Sequence, residues 1–80
     1  MQISNILTYT VLFEQAEEGG YVAYAPLLPG CHSQGETLEE VEVNIQEAIE
    51  AYLESLRAHG EEVPVERKIF HGSVTVPVAV

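Results

Sequence analysis

Cys31 and His32 are neighbours, and a thiol beside an imidazole is the pairing by which a cysteine nucleophile is activated. In an extended segment, adjacent side chains point to opposite faces. The two therefore cannot share a side-chain hydrogen bond, and either would need a distant partner, His59 or His71. No supporting acid or oxyanion motif accompanies them. Cysteine and histidine are also zinc ligands, but paired short spacings are absent because Cys31 is the single cysteine. The residues read as a small buried thiol beside an exposed imidazole. No catalytic residue, metal site or cofactor is expected.

Carboxylates are the other chemistry on offer. The chain has 13 acidic residues, and every one is a glutamate. Two-metal nuclease sites need carboxylates that converge on both ions. Here Glu39, Glu47, Glu50 and Glu54 fall on the outer face of one helical segment, away from any cleft, which is the pattern of a solvated surface. Glu50 and Glu54 form a like-charge i,i+4 pair costing roughly a few tenths of a kcal/mol, only partly relieved by Arg57. Val43 lies among these acids. Together Val43, Glu47, Glu50 and Glu54 make a candidate contact surface for a basic partner.

The whole chain has the same bias. Three cations, Arg57, Arg67 and Lys68, leave a formal net charge of −10. Such a surface repels phosphate, so direct DNA or RNA binding is not expected. A basic protein is attracted and steered instead. The same charge also keeps a small protein soluble.

Eighty residues are expected to make one domain, 1–80, with no C-terminal DNA-binding unit. A chain this short buries about 60 to 65% of the surface it exposes when unfolded, so its core is marginal. Small domains commonly add a disulfide, a metal or a partner subunit. One cysteine rules out an internal disulfide, which fits a reducing cytoplasm and leaves homo-oligomerisation as the expected staple. No apolar run approaches the ~20 residues needed to span a bilayer, and no basic segment precedes an apolar one at the N-terminus, as a secretory signal would require.

The surrounding elements follow from period and punctuation. Leu7 to Ala16 alternates, with Leu7, Tyr9, Val11 and Phe13 on one side, as in a half-buried strand. Gly19-Gly20 suits a tight hairpin, and Tyr21 to Ala25 reads as the second strand, ended by Pro26. Leu28-Pro29-Gly30 is a turn. Cys31 to Gln34 reads as a third strand, closed by Gly35. Thr37 and Glu40 form a capping box. Leu38, Val41, Ile45, Ala48, Ile49, Tyr52 and Leu56 then define the apolar stripe of a helix over about Leu38 to His59, with Gly60 as its C′ residue. Pro64 bars continuation.

Val74, Val76, Val78 and Val80 alternate through Ile69 to Val80, which reads as a fourth strand. Uncharged after Lys68 apart from His71, it would be an aggregation-prone edge if left bare. It is therefore expected to pair within the domain, across a subunit interface or with a partner. The order β-β-β-α-β gives a two-layer α+β domain, an antiparallel sheet with one amphipathic helix on one face.

Gly19-Gly20-Tyr21-Val22-Ala23-Tyr24-Ala25-Pro26-Leu27-Leu28-Pro29-Gly30-Cys31, followed by Gln34-Gly35-Glu36-Thr37-Leu38-Glu39-Glu40 and Asn44 to Ile49, resembles the HicB-like antitoxins of type II toxin–antitoxin systems. The resemblance covers about residues 7–64, and the combination is more specific than any piece. It implies a partial RNase H-like fold without catalytic machinery. It also implies a partner, a small basic HicA-type ribonuclease (mRNA interferase) whose active site is masked. Gly20, Tyr21, Pro26, Pro29, Gly30, Cys31, Gly35, Thr37 and Glu40 carry the signature and are given structural roles. The second reading is a solitary, oligomeric HicB-like protein without a cognate toxin.

Overall fold

The structure, a computed structural model, describes residues 6–79. Three short strands, β1 (Leu12–Gln15), β2 (Tyr21–Tyr24) and β3 (His32–Gly35), precede one long helix, α1 (Leu38–Ala58). The strands form an antiparallel sheet in the order β1-β2-β3, and the helix lies across one face of it. The α+β architecture is the one that the sequence pattern implies.

Local chemistry accounts for each junction. At the first hairpin, Ala16 N–H donates to Gly20 O at 3.0 Å and Gly19 N–H to Ala16 O at 3.1 Å. Gly19 and Gly20 have φ of 104° and 75°, a region that side chains with a Cβ avoid. The helix starts as expected, with Glu40 N–H donating to Thr37 Oγ1 at 3.0 Å. The return bond differs from a regular capping box: Glu40 Oε1 accepts from Glu36 N–H, at 3.3 Å, one residue ahead of Thr37. At the far end, Gly60 N–H bonds Arg57 O and Glu61 N–H bonds Leu56 O, with Gly60 at φ 69°. That is a Schellman motif.

The core is small: Ala23, Ala25, Leu28, Cys31, Val41 and Ile45 are buried, and Tyr9, Val11, Tyr21, Ala48, Ile49, Tyr52 and Leu53 pack around them. Cross-strand partners share a face, so Phe13, Ala23 and Ser33 look toward the helix. Leu12, Tyr24 and His32, with Glu14, Val22 and Gln34, look away from it. The helix stripe is shifted slightly from its sequence pattern. Leu38 is exposed at the first turn, and Leu53 takes a place in the packing.

Two strand expectations are corrected. β1 starts at Leu12 rather than near Leu7, because β2 ends at Tyr24 and Pro26 lies in the following turn, so Leu7 to Val11 have no ladder beside them. Nor does the C-terminal segment form a strand within residues 61–79. A strand exists only as a member of a ladder, and among the described residues this segment finds none. Val80 lies outside the described residues.

Candidate functional site

The signature residues fall in two places, the turn between β2 and β3 and the junction of the sheet with the start of α1. Ala25 N–H bonds Cys31 O at 3.1 Å, Leu28 N–H bonds Ala25 O at 3.0 Å, and Cys31 N–H bonds Leu28 O at 2.9 Å. Two linked turns, with Pro26 and Pro29 in them and Gly30 at φ 83°, thereby drive Leu28 into the core, where it is fully buried. A Cβ on Gly20 would stand 2.8 Å from Gly35 O, and one on Gly35 only 2.7 Å from Val41 N. Both contacts are to backbone. The pair of glycines lets the first turn of α1 close onto the β2–β3 pair, where Tyr21 stands opposite Gly35.

Cys31 is buried, and burial pushes its thiol pKa up, which keeps the sulfur protonated and unreactive. His32 is exposed on the strand beside it. Among the described residues, no three histidine, cysteine, aspartate or glutamate side chains gather as metal ligands. No helix among them is long and apolar enough to cross a membrane.

Glu39, Glu47, Glu50 and Glu54 are all exposed on α1, and Val43 among them is 57% exposed. The helix thus presents an acidic surface with one apolar side chain, on the side opposite the packed stripe. Val74, Val76 and Val78, on the C-terminal segment, are exposed as well.

A contact that sequence reading missed ties this segment down. Continuing the β1–β2 register would set Thr10 opposite Pro26, where β2 has already ended. The Glu66 carboxylate substitutes, accepting from Thr10 N–H at 2.8 Å and from Thr10 Oγ1–H. Tyr9 O–H donates to Pro64 O close by. Thr10, Leu12, Pro26, Leu27, Glu66, Ile69 and His71 then enclose a hollow of about 320 Å³ on the open sheet face. The residues that meet are 56 apart in sequence, and a lone glutamate amid Val65 and Arg67 gives no local signal of such a partner.

The two Thr10 hydrogen bonds hold the Glu66 pKa below its ordinary 4.5, aided by the charge of His71. The Tyr9 hydroxyl pKa is raised, first by burial and then by the negative Glu66. A carboxyl whose pKa is lowered by folding stabilises the tether above its unfolded pKa, and that contribution is lost as pH falls through the folded value. Acidification below the ordinary carboxylate range is therefore expected to loosen the tether. Amide exchange at Thr10, followed from neutral to acid pH, should accelerate beyond its intrinsic pH trend. Glu66→Gln should remove that extra dependence, and an identical profile in both proteins would refute the tether.

These features define a small α+β domain whose signature residues shape a turn and a helix–sheet contact, with an acidic helix surface turned outward. The sequence profile described as "HicB_like antitoxin of bacterial toxin-antitoxin system" matches residues 9–75, and the chain belongs to that family. It is 57% identical over 61 residues to a UPF0150 protein of Synechocystis sp., covering 76% of this chain and 77% of that one. A UPF0150 protein of Thermoplasma acidophilum is 50% identical over 58 residues, covering 72% and 84% of the respective chains. Among solved structures, the crystal structure of TTHA0281 from Thermus thermophilus matches with a TM-score of 0.63 at 35% identity. That match covers 76% of this chain and 82% of the other.

Proposed function

We propose that the chain is a cytoplasmic, non-enzymatic antitoxin that sequesters a small basic ribonuclease of the HicA type and masks its active site. Membership of the antitoxin family supports the role. The observation that carries the choice of surface is the exposed acidic helix, Glu39, Glu47, Glu50 and Glu54 around Val43, on a chain of net charge −10. A basic protein that cleaves RNA must present cations where phosphate docks. The glutamates of α1 compete for that same surface, and Val43 supplies an apolar contact inside the charged ring. Nucleic acid itself is repelled.

Co-expression with a small basic ribonuclease of the HicA type, followed by affinity capture of this chain, tests the pairing. Reversing Glu47, Glu50 and Glu54 together to lysine should slow association about tenfold or more at low salt. The wild-type rate should itself fall steeply as salt is added. The helix fold should survive, since all three side chains are exposed. Equal rates for the triple variant and wild type would show that the toxin docks elsewhere.

A further inference from the structure

We infer that the C-terminal segment is an exchanged strand: Val74 to Val78 of one chain adds to the outer edge of β1 in a second copy, and the second copy returns the same contact.

Among the described residues, Val74 to Val78 join no ladder of their own domain. Ile69 and His71 line the hollow with Pro26 and Leu27, so the chain leaves β1 and crosses toward the β2–β3 turn. Beyond that point Val74, Val76 and Val78 are 88%, 63% and 74% exposed. The radius of gyration is 15.5 Å, with extents of 54 × 28 × 20 Å, whereas about 12 Å is expected of a compact domain of this length. The alternating valines are among the side chains that this extended shape leaves in solvent.

Among the described residues, the sheet offers this C-terminal arm one free edge. Ala25 N–H bonds Cys31 O; by the alternation of an antiparallel ladder, Ala23↔Ser33 is then also a hydrogen-bonded pair, while His32 and Gln34 turn their backbone groups outward. The outward carbonyl of Gln34 is already occupied, accepting from Asn44 Nδ2–H at 2.8 Å. The helix thus blunts the β3 edge. On the other side, the bond from Ala16 N–H to Gly20 O makes Glu14↔Val22 and Leu12↔Tyr24 the bonded pairs. Phe13 and Gln15 therefore aim their N–H and C=O groups away from β2. No backbone partner meets them among the described residues, and Glu66 lies at Thr10, before the strand begins.

The arm matches this edge. Pro77 lacks a donor, so residues 75, 77 and 79 must face away from the ladder, and Val74, Val76 and Val78 then direct their backbone groups into it. The register is set by the proline. A second copy is the fitting occupant because the arm carries no charge after Lys68 apart from His71. A basic partner would gain nothing from neutral valines, whereas two copies bury both arms in one closed two-fold contact. The acidic helix of each copy stays free.

Sedimentation of the purified full-length chain without any partner tests the inference, with hydrogen exchange as the local readout. The wild type should sediment as a dimer, with the Phe13 and Gln15 amides protected. Val76→Glu should halve the sedimenting mass, leave the helical circular dichroism unchanged and expose those two amides. Val78→Glu should repeat the result. A wild-type monomer at submillimolar concentration overturns the exchange. So does a dimer that persists in both variants, or arm protection that arises only when a toxin is added.

Discussion

Gly35→Ala should destabilise the domain by about 3 kcal/mol, the upper part of the range for inserting atoms into a packed contact. The new Cβ would stand 2.7 Å from Val41 N and 3.0 Å from Val41 Cα. Neither is the mobile tip of a side chain. Relief requires the first turn of α1 to lift from the sheet, which uncovers Val41, one of the two largest fully buried side chains. For a domain of this size, that loss lowers Tm by roughly 15 °C. Gly20→Ala should act in the same direction, since its Cβ would meet Gly35 O at 2.8 Å and its φ is 75°. Thermal melting by circular dichroism checks both, and a Gly35→Ala Tm within a degree or two of wild type (roughly, the scatter of neutral surface changes) would disprove the close approach.

Leu28→Ala should cost about 2 to 5 kcal/mol, the range for truncating a buried leucine. Leu28 is 0% exposed, while Leu27 beside it is 36% exposed. Leu27→Ala should therefore stay within about 0.5 kcal/mol of wild type. The contrast between neighbours is the informative measurement, because composition and position in the chain are nearly the same for both. A domain of 80 residues has a net stability of about 4 to 12 kcal/mol, so the Leu28 change removes a large share of it. Urea unfolding of the two variants side by side provides the comparison, and equal costs would contradict the linked turns that hold Leu28 inward.

Much of this arrangement is legible in the sequence because it rests on local rules. A threonine three residues ahead of a glutamate, apolar residues at spacings of three and four, and a glycine after the last turn fix α1 almost to the residue. Glycine pairs and prolines likewise mark the hairpin and the second turn. What is illegible depends on contacts distant in the chain. Leu28 lies in a turn by its neighbours, Pro26, Pro29 and Gly30, and only the bonds among Ala25, Leu28 and Cys31 turn it inward. The adjacent leucines are the available hint, since a turn rarely needs two.

The C-terminal valines show the same limit from the other side. Alternation is a property of the segment, but a ladder is a property of two segments, and the sequence does not say where the second one is. Asn44 and Glu66 are similarly silent. Each caps a backbone group far from it, Gln34 O in one case and Thr10 N–H in the other. Such partners follow from the packed fold, not from any local pattern. Of the candidate contact residues, the sequence places the acids and Val43 on one exposed helix surface, and the structure keeps them there.

On the proposed reading, this chain neutralises a ribonuclease by occupying its RNA-binding surface. The direct measurement is cleavage of a structured RNA by a purified small basic ribonuclease of the HicA type, titrated with this chain. Cleavage should fall to background at a stoichiometric ratio, added salt should weaken the inhibition, and the Glu47, Glu50 and Glu54 charge reversal should weaken it further. Undiminished cleavage in the presence of excess folded wild-type chain would contradict that reading.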